Sequence, residues 1–338
     1  ASLTTSFSEG VMPVNAPTQP TAERVRPVSL LRFDFDSHAF DHPMRKTYGA
    51  ETTERADRLR ASEAFQDLLL RYHFVTDEAC NKLARKIRSE RSVKADFETA
   101  VSSGIEQVDN PCEELRDFMA SALEVPAFID MERVERGGAI FQKYTSPTVL
   151  ALYMLPVLAA QTVPSTVVHT MLYTNRPNKP RTIDEHFSSP EYRARGRFVV
   201  RIMETLRFVG QISGKSCSKP YSTAFIESCR IRLIHGHVRN GIETNPKSWN
   251  YLPSFGWDDD EFGKPISAAD GMVVLTSFMA GLGAARREMG LEISEDEMDD
   301  LHHWYNYLTH LQGVPAELLL KSRTETDAYT AAYFLSLN

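Results

Sequence analysis

Apolar residues recur along most of this chain at the three- and four-residue spacing of an amphipathic helix, not at the alternating spacing of a strand. The pattern predicts helices over Glu54–Phe74, Thr76–Ser89, Val93–Ser103, Glu191–Ile212, Ser222–Gly241 and Ser267–Gly290. Start and stop signals agree with it. Asn110-Pro111, Ser146-Pro147 and Ser189-Pro190 each set a capping side chain before a proline suited to the first helical position. Ser294 and Glu297 form a capping-box pattern that opens a helix running to about Gln312, where Gly313 and Pro315 stop it. Strand signals are confined to the Val- and Thr-rich segment Val163–Tyr173, which lies between helices and has no obvious partner. Residues 1–28 carry Pro13, Pro17, Pro20 and Pro27 with no periodic face, and read as an extended arm. The expectation is an all-α chain: an arm over 1–28, then a single helical domain over 29–338.

Composition adds limits. The 338 residues suffice to bury a substantial core, and 42% hydrophobic with 25% charged residues is globular usage. A net charge of −7 argues against a general nucleic-acid binder. The most apolar run, Val149–Ala160, is broken by Pro156 and falls short of the roughly 20 residues of a membrane span, so a core helix and no transmembrane segment are expected. No basic-plus-apolar leader opens the chain, which starts at Ala1; a soluble protein is expected, in the cytoplasm or secreted after leader removal. Cys80, Cys112, Cys217 and Cys229 lie far apart without a CxxC pair, which suits buried free thiols or two ordinary bridges, and no zinc site.

Candidate chemistry concentrates between Glu191 and Asn240, where ten basic side chains face three acidic ones. Such a surplus suggests an anionic partner held between two helices; a solvated basic face accounts for the same charges. On the second helix Arg232, His235 and Arg239 fall at i, i+3 and i+7 on one face, among Ile231, Leu233, Ile234 and Val238, while His237 points elsewhere. On the first, Arg201, Glu204 and Thr205 share a face flanked by Phe198, Val199, Val200, Ile202 and Met203. Guanidinium groups carried into apolar surroundings need an anion or hydrogen-bond partner there. Haem meets these demands together, with propionates for arginine, a ring that takes apolar walls and iron that takes imidazole. Gly236, next to His235, would let backbone or ring approach closely. A satisfied core or surface histidine is the competing reading of His235.

The stretch Arg232-Leu-Ile-His235-Gly-His-Val-Arg239 resembles the R-L-x-H-x-x-V-R signature of the family that contains latex-clearing protein, a rubber oxygenase, and the fungal ER-bound oxygenase of mycophenolic acid biosynthesis. Arg201-x-x-Glu204-Thr205 resembles its R-x-x-K-T motif, thirty residues before the histidine. Gly263-Lys-Pro-Ile266 with Asp270 resembles its G-x-P-I…D passage, and Leu291–Val314 its closing helix. The likeness spans roughly residues 180–320. It implies a globin-like helical domain, with additional helices, around a haem b pocket. His235 would be the proximal iron ligand, Arg201 and Thr205 would line the distal side, and Arg232 and Arg239 would support the haem or its propionates. The implied chemistry is O2-dependent cleavage of an isoprenoid C=C bond into carbonyl products, with Glu185 as a candidate acid near the allylic position. Glu204 stands where rubber cleavers commonly carry lysine; it could act as an acid or base or serve only as a partner for Arg201, and the swap sets a smaller terpenoid or lipid-like alkene at least level with polyisoprene as substrate. Two alternatives stay open: a haem peroxidase or hydroxylase without C=C cleavage, and a non-catalytic helical lipid-binding scaffold.

Other polar clusters read as structure. Asp34, Asp36, His38, Asp41 and His42 suit a solvated loop better than a metal site; His303 and His310, which share a face with Asp299, suit a surface. No P-loop, GxGxxG, GxSxG or HExxH motif is present.

Overall fold

The computed structural model describes residues 36, 41–144, 207–244, 257–273, 282–283, 286 and 290–336. Its helices are α1 (Asp41–Tyr48), α2 (Ala50–Arg60), α3 (Glu63–Tyr72), α4 (Glu78–Ser89), α5 (Val93–Ser103), α6 (Glu113–Leu123), α7 (Met131–Tyr144), α8 (Thr223–Thr244), α9 (Asp259–Phe262), α10 (Glu295–Leu311) and α11 (Arg323–Leu335). No strand occurs among the described residues, whose elements are helical as the periodicity predicts. The arm 1–28, the segment 163–173 and the Ser146-Pro147 and Ser189-Pro190 caps lie outside the described residues.

Helix limits follow local chemistry, with two corrections. The span predicted over Glu54–Phe74 is two helices, because Ser62 is extended (φ −87°, ψ 120°) and Gln66 Nε2 turns back to donate to the Arg60 carbonyl at 2.6 Å. The break lets α2 and α3 bury different faces, Ala56 and Leu59 on one, Phe65, Leu68 and Leu69 on the other. α6 begins at Glu113 and not at Pro111, since Asn110 takes a left-handed turn (φ 50°) and Cys112 is the extended N-cap. The capping box of α10 forms as expected: Ser294 Oγ accepts from Glu297 N–H and Glu297 accepts from Ser294 N–H. Val93–Ser103 matches its predicted limits.

The core is assembled from helix pairs: α7 against α10, α11 against α2, and α4 against both α8 and α6. The α7–α10 contact is the most extensive of these. A Cβ built on Gly137 would overlap the Asp300 carbonyl oxygen and come within 2.8 Å of Trp304 Cβ. Beside it Phe141 packs on Trp304 with ring centroids 4.5 Å apart, and the indole donates to the Ile212 carbonyl at 3.2 Å. Gly137→Ala is therefore expected to cost about 2–3 kcal/mol in urea unfolding. Gly210→Ala, with nothing within 4 Å of its Cβ, is the control and leaves the midpoint unchanged or raises it. Equal behaviour of the two variants would refute the close-packing account. No helix among the described residues is long and apolar enough to cross a membrane.

Candidate functional site

Helix α8 carries the histidine singled out by the sequence. Its buried residues include Phe225, Cys229, Arg232, Gly236 and Arg239 at a three–four spacing, and the helix packs chiefly on α4. The helices come close at Gly236, where a Cβ would stand 2.6 Å from Cys80 Sγ and 3.2 Å from Ala84 Cβ. Of the two approaches expected at Gly236, backbone or ring, the structure shows the close approach of the α4 backbone and side chains. The Cys80 thiol donates to the Arg232 carbonyl at 3.0 Å, and burial pushes both Cys80 and Cys229 up to about 12, so neither is a reactive thiolate. All four cysteines are free, with Cys80, Cys217 and Cys229 buried.

The two arginines that flank His235 are occupied by protein partners. Arg232, 2% exposed, forms a fork on Asp77 through Nε at 2.5 Å and Nη2 at 2.9 Å. Its Nη2 also donates to Ser121 Oγ at 2.9 Å, and its guanidinium lies 4.6 Å from the centroid of the Phe118 ring. Burial opposes the Asp77 charge most strongly, yet Arg232, aided by Arg239, holds that carboxyl below its ordinary range. Arg239 donates to Asn81 Oδ1 at 2.6 Å and to the Ile266 carbonyl at 3.4 Å; Asn240 donates to the Asn81 carbonyl at 3.1 Å. On the exposed side Arg230 pairs with Glu98 and Glu227. Arg232 and Arg230 are therefore met by the chain's own carboxylates, and Arg239 by a neutral amide and a backbone carbonyl. Arg232 Nη1 and Arg239 Nη2 are buried without a hydrogen-bond partner among the described residues, so a propionate would find one unpartnered nitrogen on each guanidinium.

Breaking the Asp77–Arg232 pair strands a buried cation. Asp77→Asn should lower stability by roughly 3–5 kcal/mol. The apolar replacement Asp77→Leu with Arg232→Met should recover most of it in urea melts, and a double variant no better than the single would sink this account.

His235 lies at the edge of that contact, about 60° round the helix from Arg232 and about 40° from Arg239. It is half-buried. Along the same edge run Ile231 and Val238, half-buried, and Ile234, which is 44% exposed and stands out as a large hydrophobic residue in the open. Val238 continues the edge onto a small apolar cluster of Ile242, Trp257 and Phe262. His237 is exposed on the far side. An imidazole set in a partly open apolar stripe suits the donor chemistry and the walls that haem requires. The arginines suit it less, since their carboxylate-binding edges are taken.

Arg201, Glu204, Thr205 and Glu185 lie outside the described residues; 207–211 are helical and agree with the end of the predicted Glu191–Ile212 helix. The Gly263-Lys-Pro-Ile266 passage is an anchor. Lys264 N–H and Ala268 N–H donate to the His73 and Val75 carbonyls, both at 2.8 Å. Ser267 caps the next turn against Asp270, and Tyr333 OH donates to Asp270 Oδ1 at 3.0 Å. Since Arg239 meets the Ile266 carbonyl, this passage buttresses the end of α8.

His310 corrects the sequence reading, for it is buried and not on the surface. Burial, and after it the charge of Arg232, lowers its pKa to about 4. His303 Nδ1 accepts from Asp130 N–H at 3.1 Å, and Asp299 binds Arg323 at 3.0 Å. In the early cluster, Asp41 starts α1 and pairs with Arg45, while Asp34 and His38 lie outside the described residues. Among the described residues no group of three His, Cys, Asp or Glu side chains could hold a metal ion. Asp77 and Asn81 were not singled out by sequence. The available signal was an acid at a helix start, together with two arginines on an apolar face that had no nearby acid to meet them.

Comparison with known proteins gives two findings. A family model described as the catalytic domain of ER-bound oxygenase mpaB/B'/Rubber oxygenase matches residues 146–337, more than half of the chain. The solved structure of Latex Clearing Protein LCP in the closed state is similar with a TM-score of 0.57 at 19% identity, over 77% of this chain and 64% of that one. This chain thus spans less than two thirds of that protein's length, and the likeness is one of fold. No curated protein matches significantly.

Proposed function

The chain belongs to the ER-bound oxygenase and rubber oxygenase family, and from that premise we propose that it is a haem b oxygenase that cleaves a C=C bond of an unsaturated, isoprenoid-like substrate with O2. The observation that carries the reading is the half-buried His235 imidazole on the partly open edge of Ile231, Ile234 and Val238. The haem, when bound through that imidazole, supplies the iron at which O2 is activated. Ile231, Ile234 and Val238 offer apolar surface to the ring and exclude water beside it. Arg201 and Thr205, the family-motif positions, would line the distal side and orient the substrate. Glu204 and Glu185 are the carboxylates that would accept an allylic proton, with Glu204 in place of the family's lysine favouring a small terpenoid over polyisoprene. Both atoms of one O2 end in the two carbonyl products, so cleavage consumes no outside reductant. Arg232 and Arg239 act from behind the ligand by holding α8.

The test is reconstitution with haemin, followed by oxygen uptake with squalene or farnesyl acetate. A Soret band, with one O2 consumed per pair of aldehyde or ketone ends, is the expected result. A Soret band with hydroxylated or peroxidised products instead would remove C=C cleavage and leave a haem oxidant. A colourless protein that takes up no haemin would end the haem reading and leave a scaffold. Arg201→Ala and Thr205→Ala are expected to lower turnover while the haem stays bound; unchanged turnover would remove their distal role.

A further inference from the structure

We propose that Asp77 and Asn81 of α4 are positioning residues for His235, acting through Arg232 and Arg239; the proposal rests on His235 being the ligand and assigns what aims it. Both positions precede residue 146, so they lie outside the span matched by the family's catalytic domain.

The geometry is a three-point clamp. One turn before His235, Arg232 forks onto Asp77 at 2.5 and 2.9 Å. One turn after it, Arg239 donates to Asn81 at 2.6 Å, and the neighbouring Asn240 donates to the Asn81 carbonyl at 3.1 Å. Between them Gly236 rests on Cys80 and Ala84 with no room for a Cβ. All of these partners come from one helix and its N-cap. Rotation of α8 about its own axis, the motion that would swing the imidazole, has to break these contacts together.

The clamp is itself fixed. Asp77 is the N-cap of α4 and accepts from Cys80 N–H at 3.2 Å. Its other side is closed by Gly313, where an added Cβ would overlap the carboxylate. A rotation of α8 by about 10° would carry an atom about 6 Å from the axis through roughly 1 Å. Displacements of that size matter at a metal ligand, whose supporting groups are typically worth about 10- to 100-fold in affinity.

The experiment compares Asp77→Asn, the apolar pair Asp77→Leu with Arg232→Met, and Asn81→Ala. Each is read by the 15N ring signals of His235 in the haem-free protein, assigned by their loss in His235→Gln, and by haemin titration. A positioning role predicts moved ring signals in every folded variant, with haem affinity reduced at least about tenfold. The apolar pair is decisive, because it restores stability without restoring aim. Ring signals and affinity within twofold of wild type in the apolar pair and in Asn81→Ala would overturn the proposal, whatever happens to Asp77→Asn. Should the wild-type protein bind no haemin, the ring signals still decide. Moved signals would keep the clamp and retire the cofactor reading, whereas unmoved signals would end the clamp as well.

Discussion

His235→Ala is expected to yield a folded protein that retains haem more than about 100-fold more weakly than wild type and shows no oxygenase turnover. The magnitude follows from comparison with supporting groups: loss of a residue that only orients a metal ligand costs about 10- to 100-fold, and loss of the ligand exceeds that. Folding should survive, because His235 is half-buried at the edge of α8 while the buried contacts of that helix run through Phe225, Cys229, Arg232, Gly236 and Arg239. The measurement is the Soret absorbance of haemin-reconstituted protein before and after gel filtration. His235→Gly with added imidazole should recover part of the band, since the free base can enter where the side chain is missing. A His235→Ala protein that keeps a full Soret band would show that another residue holds the iron.

The second large effect is acid destabilisation through His302 and His310. Both are buried, and both pKa values are lowered from 6.5 to about 4. For His302 burial dominates, and the ring bonds Thr326 Oγ1 at 2.9 Å and faces Asn306 Nδ2 at 3.3 Å. For His310 burial again leads and the Arg232 charge adds to it, while a hydrogen bond with the Ala122 backbone works weakly the other way. Above pH 6.5 the rings are neutral in folded and unfolded chains alike, so stability there does not depend on them. Between pH 6.5 and about 4 the unfolded chain takes up protons that the folded chain refuses, and stability falls as pH falls. Each ring should cost up to about 3 kcal/mol across that window, most of a small domain's margin when the two are added. Urea melts between pH 7 and pH 4.5 read the slope, and His302→Gln and His310→Gln should each flatten it. A slope unchanged by either substitution would refute the assignment. His310 also ties the window to the site, because its protonation sets a second cation beside Arg232.

Much of the helical framework is legible in the sequence because its signals act within a turn. Ser294 and Glu297 are three residues apart and make their box as written; Val93–Ser103 is bounded as its periodicity predicts. The misplacements are local conflicts that tertiary packing resolved. Ser62 breaks a continuous periodic run so that α3 can turn its own apolar face inward, and Asn110 spends the proline signal at 111 on a turn. His310 has the look of a surface residue on a charged helix, and only the packing of that helix end near Arg232 and Ala122 buries it.

From the sequence by itself came the all-α class, the buried face of α8 and the motif that leads to the oxygenase family. All of these depend on neighbours within a few residues or on residue order. Tertiary structure alone decided what Arg232 and Arg239 answer to. Asp77 and Asn81 stand 155 and 158 residues away along the chain, and no short-range pattern links them. Which carboxylate meets a buried guanidinium is set by which helices pack together, and packing is a property of the whole core.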